Sequence, residues 1–193
     1  MRRAVQDSGY VRRYRECPDG VRDPSNSLKA TKPQVPGAPT PSRTLVVERP
    51  VVAFRNWRVV DGVLTSPHSR VAWLEPILCA TCLRAGTEHE PPHPGCDCGV
   101  SAYHEPQLRH STVDFRGVSG IVTLWGRLEV HDDRVRGEFA RVEALALYSR
   151  WSWRQHHAVA TVARELGAEL IDLREQAEAA ERYQRPSLAS ASR

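Results

Sequence analysis

The sequence predicts an α+β protein with a small antiparallel sheet that contains a long β-hairpin, an irregular Cys/His zinc loop and C-terminal helices. Apolar and polar residues alternate strictly over residues 118–130, which is typical of a strand with one buried face. Four of the five cysteines lie between residues 79 and 98, in a segment rich in proline and glycine. From Ser152 onward, a capping sequence is followed by apolar residues at helical spacing.

The first part of the chain has the composition of a disordered tail. Seven of the fourteen prolines fall within the first fifty residues, among Ser, Thr, Gly and Asn. Such a segment buries too little apolar surface to offset the entropy cost of ordering it. We therefore predict a disordered, basic, proline-rich tail over residues 1–48 and a single α+β domain over 49–173, with its Cys/His loop at 79–99. Residues 174–193 are predicted to be a helical extension with a polar end.

The net charge of +4 is concentrated in this tail. Residues 1–49 hold ten Arg or Lys and five Asp or Glu, whereas the rest of the chain holds seventeen and eighteen. The densest basic segment contains Arg12, Arg13 and Arg15. These residues suggest a nucleic-acid-associated protein as an alternative function, with the tail bound to phosphates. Short basic runs on a flexible end are, however, usually only solvated.

The location of the protein is predicted from what the sequence lacks. No apolar stretch approaches the roughly 18 residues of a membrane-spanning helix, and the N-terminus has no apolar run of the kind found in signal peptides. A cytoplasmic protein with no membrane partner is therefore expected. Because that compartment is reducing, clustered cysteines favour a metal site over a disulfide framework. Cys17, alone in the tail, is expected to take no part.

A first β-hairpin is predicted near the start of the domain. Residues 50–60 and 63–65 are rich in Val and Trp, and Asp61 and Gly62 lie between them. An Asp-Gly pair favours a tight turn in which both residues have positive φ.

The second hairpin is longer and follows from the alternating strand. Its return strand starts at Val135, after a turn over residues 131–133, and the apolar parity shifts between Phe139 and Val142. That shift predicts a β-bulge near Ala140. Ile121 and Trp125 make the outer face partly apolar, so we expect a helix or the metal loop to cover it.

The C-terminal helices are predicted from their capping residues. Ser152 and Gln155 form the capping box of the first helix, and Gly167 supplies the left-handed residue that ends it. A second helix begins at Asp172, which leaves residues 168–171 as a short extended segment. One continuous helix is the rival interpretation, because the apolar spacing continues past Gly167 and an interior glycine costs only about 1 kcal/mol.

The Cys/His loop carries the chemistry. Structural zinc takes four tetrahedral N or S ligands, usually from two short turns. Cys82, Cys96 and Cys98 belong to both possible ligand sets, and the fourth ligand is either Cys79 or His89. Four protein ligands leave no position for water, so a zinc ion here is expected to be structural. The competing interpretations are unliganded thiols in a proline-rich loop, and an iron–sulfur cluster or redox pair.

A set of motifs extends across both hairpins and the loop: Phe54 to Val59, Trp73, Cys82, His89 to Ala102, and Gly120 to Leu128. Together they resemble a group of small uncharacterised proteins of high-GC bacteria over about residues 50–145. Cys82, His89, Cys96 and Cys98 correspond to that pattern, whereas Cys79 does not. The resemblance thus implies the ligand set that contains His89, and it implies no activity.

No catalytic motif is recognisable elsewhere. The sequence has no phosphate-binding glycine loop, dinucleotide fingerprint or Gly-x-Ser-x-Gly element. Asp132 and Asp133 are more typical of turn residues than of paired catalytic carboxylates, and the five tryptophans are more typical of a core than of a stacking platform for bases. We therefore predict a non-enzymatic, zinc-stabilised binding or adaptor module for a protein partner. A metal-dependent enzyme is a third interpretation.

Overall fold

The computed structural model describes residues 12–13, 43–67, 71–82, 84, 89–106 and 117–184. Within these residues the chain forms a mostly antiparallel sheet of nine strands and two α-helices, so the α+β class is confirmed. The elements in order are β1 (Arg12–Arg13), β2 (Arg43–Val60), β3 (Val63–Thr65), β4 (Val71–Trp73), β5 (Ile77–Cys79), β6 (Val100–Tyr103), β7 (Gly117–Val130), β8 (Arg134–Leu147), α1 (Trp153–Leu166), β9 (Glu169–Asp172), a 3-10 helix (Leu173–Glu175) and α2 (Gln176–Gln184).

Three long strands and β6 close the sheet on itself. β7 pairs antiparallel with β2 along one edge and with β8 along the other. β6 pairs with β8 and also returns to β2, where Tyr103 lies opposite Phe54. These pairings lead back to the strand from which they start, so the four strands form a small barrel. β3 and β4 extend the sheet from the end of β2, and β5 and β9 add to β8.

The barrel interior is the main hydrophobic core. Trp57 and Trp73 are fully buried there, with their rings in an edge-to-face contact at 5.4 Å between centroids. Helix α1 packs on this core through Val159, Val162, Ala163 and Leu166. Since Trp125 is buried as well, three of the five tryptophans are core residues, and they form no exposed platform for bases.

A second, smaller core covers the outer face of the sheet. Ile121 packs there with Phe54 and Ala144, beneath Ala179 and Ala180 of α2. The cover over Ile121 is therefore a helix. Because α2 contributes buried residues to this core, it belongs to the domain, and the boundary predicted between residues 173 and 174 falls inside the 3-10 helix.

One turn and one bulge can be compared with their sequence-based predictions. The β2–β3 turn has positive φ at both Asp61 (50°) and Gly62 (78°), as an Asp-Gly turn requires. In β8 the extra residue lies between Val142 and Ala144, so the bulge predicted near Ala140 is instead at Glu143. Because Glu143 is polar, its place in the sequence pattern gave no signal that the bulge lies there.

A second bulge in β7 was not predicted. Gly126 and Arg127 lie between the pairs Trp125–Phe139 and Leu128–Gly137, opposite Glu138 alone. Gly126 has φ +77°, and the backbone N–H of Arg127 donates to the Glu138 carboxylate at 3.0 Å. A glycine in the left-handed region is the usual residue at such a bulge.

The C-terminal region has two helices, so the interpretation as one continuous helix is wrong. The Ser152–Gln155 capping box is present, and Gly167 is left-handed with φ 65°. The chain then forms β9, in which Leu170 pairs in parallel with Leu145 of β8. Within the described chain, neither helix has the length and apolar character needed to span a membrane.

The N-terminal boundary of the domain is corrected by β2. This strand begins at Arg43, and residues 43–47 pair with residues 126–130 of β7. The predicted boundary at residue 49 therefore falls within a strand. The start of the strand was missed because the register shift between Val47 and Val51, near Pro50, interrupts the sequence pattern there. Arg12 and Arg13 also form a short strand, parallel to β4. The rest of the predicted tail lies outside the described residues.

Deletion of residues 1–48 is expected to lower the free energy of unfolding by roughly 5 kcal/mol more than deletion of residues 1–42. The longer deletion removes five paired positions of β2, and each ladder hydrogen bond contributes about 1 kcal/mol net. Urea unfolding of the two truncated proteins measures the difference. Equal stabilities would instead support the boundary predicted from composition.

Candidate metal site

The Cys/His loop interrupts what would otherwise be one strand on the edge of β8. Cys79, at the end of β5, pairs with Phe139, and Val100, at the start of β6, pairs with Gly137. Between them the backbone N–H of Ala80 donates to Glu138 at 2.7 Å. The chain thus leaves β8 and rejoins it at neighbouring residues. The segment between these two points, called loop 80–99, is described at residues 80–82, 84 and 89–99, and its two ends are held together by the sheet.

Four side chains of this loop converge. The ligand atoms of Cys82, His89, Cys96 and Cys98 all lie within 4.8 Å of one another. The Sγ atoms of Cys82 and Cys96 are 3.7 Å apart, and Nε2 of His89 is 3.2 Å from Sγ of Cys98. Zinc–sulfur bonds of about 2.3 Å in a tetrahedron would place two sulfurs about 3.8 Å apart. The four residues are therefore close enough to bind a metal ion.

Cys79 does not belong to this cluster. It lies in β5, where strand pairing fixes it opposite Phe139, and its sulfur is part of a disulfide. The ligand set with Cys79 in place of His89 is consequently not assembled in this structure. The disulfide also differs from the expectation that the cysteines form none.

The backbone of the loop is shaped by two glycines. Gly95 has φ +82° and Gly99 has φ +105°, conformations that other residues rarely adopt. A Cβ at Gly99 would also lie only 3.0 Å from Cβ of Pro92. The N–H of Cys96 donates to the carbonyl of His93 at 3.0 Å and closes a turn that contains Gly95. The glycines that bracket Cys96 and Cys98 therefore allow both thiols to face the same point.

The Cys98 thiol is the most buried of the four ligands, with 7% of its surface exposed. Burial raises the pKa of this thiol to about 11, and the neighbouring Cys96 and Cys82 add to the increase, while a hydrogen bond from the His93 backbone opposes it. Without a cation, Cys98 is thus neutral at physiological pH. A metal ion must displace its proton, so metal uptake is expected to become more favourable as the pH rises.

Two arginines attach the loop to the barrel, and neither was predicted to have this role. Arg136 of β8 donates to the carbonyls of Cys96 and of Cys98, the latter at 3.2 Å, and to the carboxylate of Glu129 at 2.6 Å. Arg127 donates to the carbonyl of Glu90 at 3.1 Å and pairs with its carboxylate. In the sequence these charged residues look like the solvent face of a strand. The β7 bulge and the loop itself change that environment.

The other predicted site residues are only partly described. Arg12 and Arg13 pair with Val71 and Ala72 through their backbones, and the structure does not describe their side chains. Arg15 and Cys17 lie outside the described residues. Asp132 and Asp133 are exposed in the turn between β7 and β8.

The fold and the site together define an α+β barrel protein with a three-cysteine, one-histidine cluster able to hold a metal ion. Comparison of the chain with known protein families, with characterised proteins and with solved structures finds no match.

Proposed function

We propose that this protein is a non-enzymatic zinc-binding module in which the metal holds loop 80–99 as a fixed surface for a protein partner. The observation that carries the proposal is the convergence of Cys82, His89, Cys96 and Cys98 within 4.8 Å. Three thiols and one imidazole are a common structural zinc set. Calcium and magnesium prefer oxygen ligands instead.

A structural role fits this ligand set better than a catalytic one. Four protein ligands complete the tetrahedral shell of zinc, so no position remains for water or substrate. Cys98 is also buried, which limits access to the ion from its side. A metal-dependent enzyme would need an open coordination position that this arrangement does not offer.

The metal is expected to shape the loop and not the core. Among the described residues of loop 80–99, only Ala80 packs against either hydrophobic cluster. Exposed residues form its outer surface instead, including Glu90, His93, Pro94 and Asp97. Proline-rich loops without a core lose much entropy when they bind a partner, and a metal ion that orders the loop beforehand reduces that cost. An ordered, exposed loop is therefore suited to protein recognition.

Photocrosslinking in cells tests the recognition role. A photoreactive amino acid in place of exposed Pro94 is expected to give a discrete crosslinked protein in the otherwise wild-type chain. The same probe should give none in a Cys96→Ser chain, because the loop loses its metal-dependent shape. A probe at exposed Glu178 of α2 is the matched control, and it should not capture the same protein. Crosslinks from position 94 that persist without metal, or that contain nucleic acid and no protein, would contradict the proposal.

A further inference from the structure

A buried ion pair connects the barrel to the turn that carries two of the four ligands. Glu129 of β7 and Arg136 of β8 are cross-strand neighbours, and their side chains are only 1% and 8% exposed. The guanidinium donates to the Glu129 carboxylate at 2.6 Å. Its other terminal nitrogen donates to the carbonyls of Cys96 and Cys98. One side chain therefore spans the barrel wall and the Cys-x-Cys turn.

The two carbonyl contacts restrict the ligands directly. The Cys96 carbonyl lies in the peptide plane that follows Cys96, and the Cys98 carbonyl lies in the plane that follows Cys98. A donor shared between them restricts the orientation of both planes. The orientation of those planes helps to set the directions in which the Cα–Cβ bonds of the two cysteines leave the backbone. Because the guanidinium is planar and rigid, it holds this arrangement with less loss of freedom than a lysine would.

The charge of Arg136 acts in the same direction as its geometry. Three thiolates together carry more negative charge than a zinc ion neutralises. The positive guanidinium, which contacts the carbonyls of the Cys-x-Cys turn, would offset part of that excess. Burial of an ion pair is costly unless its hydrogen bonds are satisfied, and here the loop carbonyls satisfy part of the guanidinium.

We propose that Arg136, held in place by Glu129, is the positioning residue of the metal site, and that it sets the Cys96–Cys98 turn in ligand geometry before the metal arrives. The inference rests on the metal site of the proposed function. It assigns to a buried pair of the barrel a role in metal affinity, and not only in folding. Such supporting groups typically change metal affinity by 10–100-fold.

The test measures zinc affinity in the full-length chain by competition with a chelator. Arg136→Met and Glu129→Gln are each expected to weaken zinc binding by about 10–100-fold. Arg136→Lys is expected to lose less, since an ammonium can reach one carbonyl but does not reproduce the planar bridge to both carbonyls and Glu129. With cobalt in place of zinc, the thiolate-to-metal absorption bands of the Met and Gln variants should shift, because their ligands are less well oriented.

Arg127→Met is the matched control. Arg127 also joins the loop to the barrel, but its ion pair with Glu90 is exposed and does not touch the ligand turn. Exposed pairs contribute little, so zinc affinity should change by less than about threefold. An equal loss of zinc affinity in the Arg127 and Arg136 variants would show that both residues only tether the loop to the barrel. That result would overturn the positioning role.

The remaining outcomes separate this inference from the proposed function. If the wild type binds zinc and the variants have the same zinc affinity and the same cobalt spectra, the positioning role of Arg136 is overturned but the metal site stands. If the wild-type protein binds no zinc, both the positioning role and the proposed metal site are overturned. If circular dichroism shows that Arg136→Met does not fold, Arg136→Lys decides the question, and full wild-type affinity in that variant overturns the proposal.

Discussion

Replacement of Cys96 or Cys98 by serine is expected to abolish stoichiometric zinc in the purified protein, as measured by elemental mass spectrometry. Both thiols belong to the cluster, and a serine hydroxyl is a much poorer zinc ligand than a thiolate. His89→Ala should weaken zinc binding by orders of magnitude, because the imidazole supplies the fourth ligand of the tetrahedron. Wild-type protein prepared with ample zinc should contain about one ion per chain.

Cys79→Ser is the control for these substitutions. It removes a cysteine of the same segment that lies in β5 and is held in a disulfide, so its zinc content should equal that of the wild type. The opposite pattern, with zinc lost in Cys79→Ser and retained in His89→Ala, would establish the four-cysteine set. If the wild-type protein contains neither zinc nor iron, the loop is only a proline-rich connection between two strands.

Gly120→Ala is expected to destabilise the protein by more than about 4 kcal/mol or to prevent folding. A Cβ at this position of β7 would collide with the carbonyl oxygen of Ala144 and lie 3.0 Å from the Trp57 ring. Ala144 belongs to β8, so the clash with its carbonyl can be relieved only if β7 and β8 separate at this position. Urea unfolding monitored by tryptophan fluorescence measures the loss.

Gly62→Ala is the matched control for this prediction. Gly62 has φ +78°, but a Cβ there meets nothing within 4 Å. The cost should therefore be only the backbone strain of a left-handed alanine, about 1–2 kcal/mol. Similar losses at the two glycines would show that the close approach of β7 to β8 at Gly120 is not needed for stability.

The parts of the fold that the sequence predicted are those with a local cause. The alternation over 118–130 indicated a strand, and the Ser152 capping box and Gly167 marked both ends of α1. These signals depend on residues close together in the chain. The start of β2 depends instead on pairing with residues 126–130, which lie far away in the sequence, and the alternation of β2 is broken near Pro50.

The residues of the site that could not be predicted from the sequence are also defined by long-range contacts. The Cys and His residues carry their chemistry in their identity, so the candidate ligands could be named from spacing and resemblance. Glu129 and Arg136 could not, because charged residues on an alternating strand usually face solvent. Their burial depends on contacts between distant parts of the chain, including those of Arg136 with the carbonyls of the loop. The weak apolar character of α2, whose buried residues are mainly alanines, likewise concealed its place in the core.

The loop between β5 and β6 is a position at which this chain can vary. Because the loop departs from β8 and returns to it at neighbouring residues, its length is independent of the register of every strand in the barrel. Lengthening such a loop costs little, about 0.6 kcal/mol for each doubling. The barrel is thus a scaffold on which loops of other lengths and sequences can be exchanged at one position while the core stays unchanged.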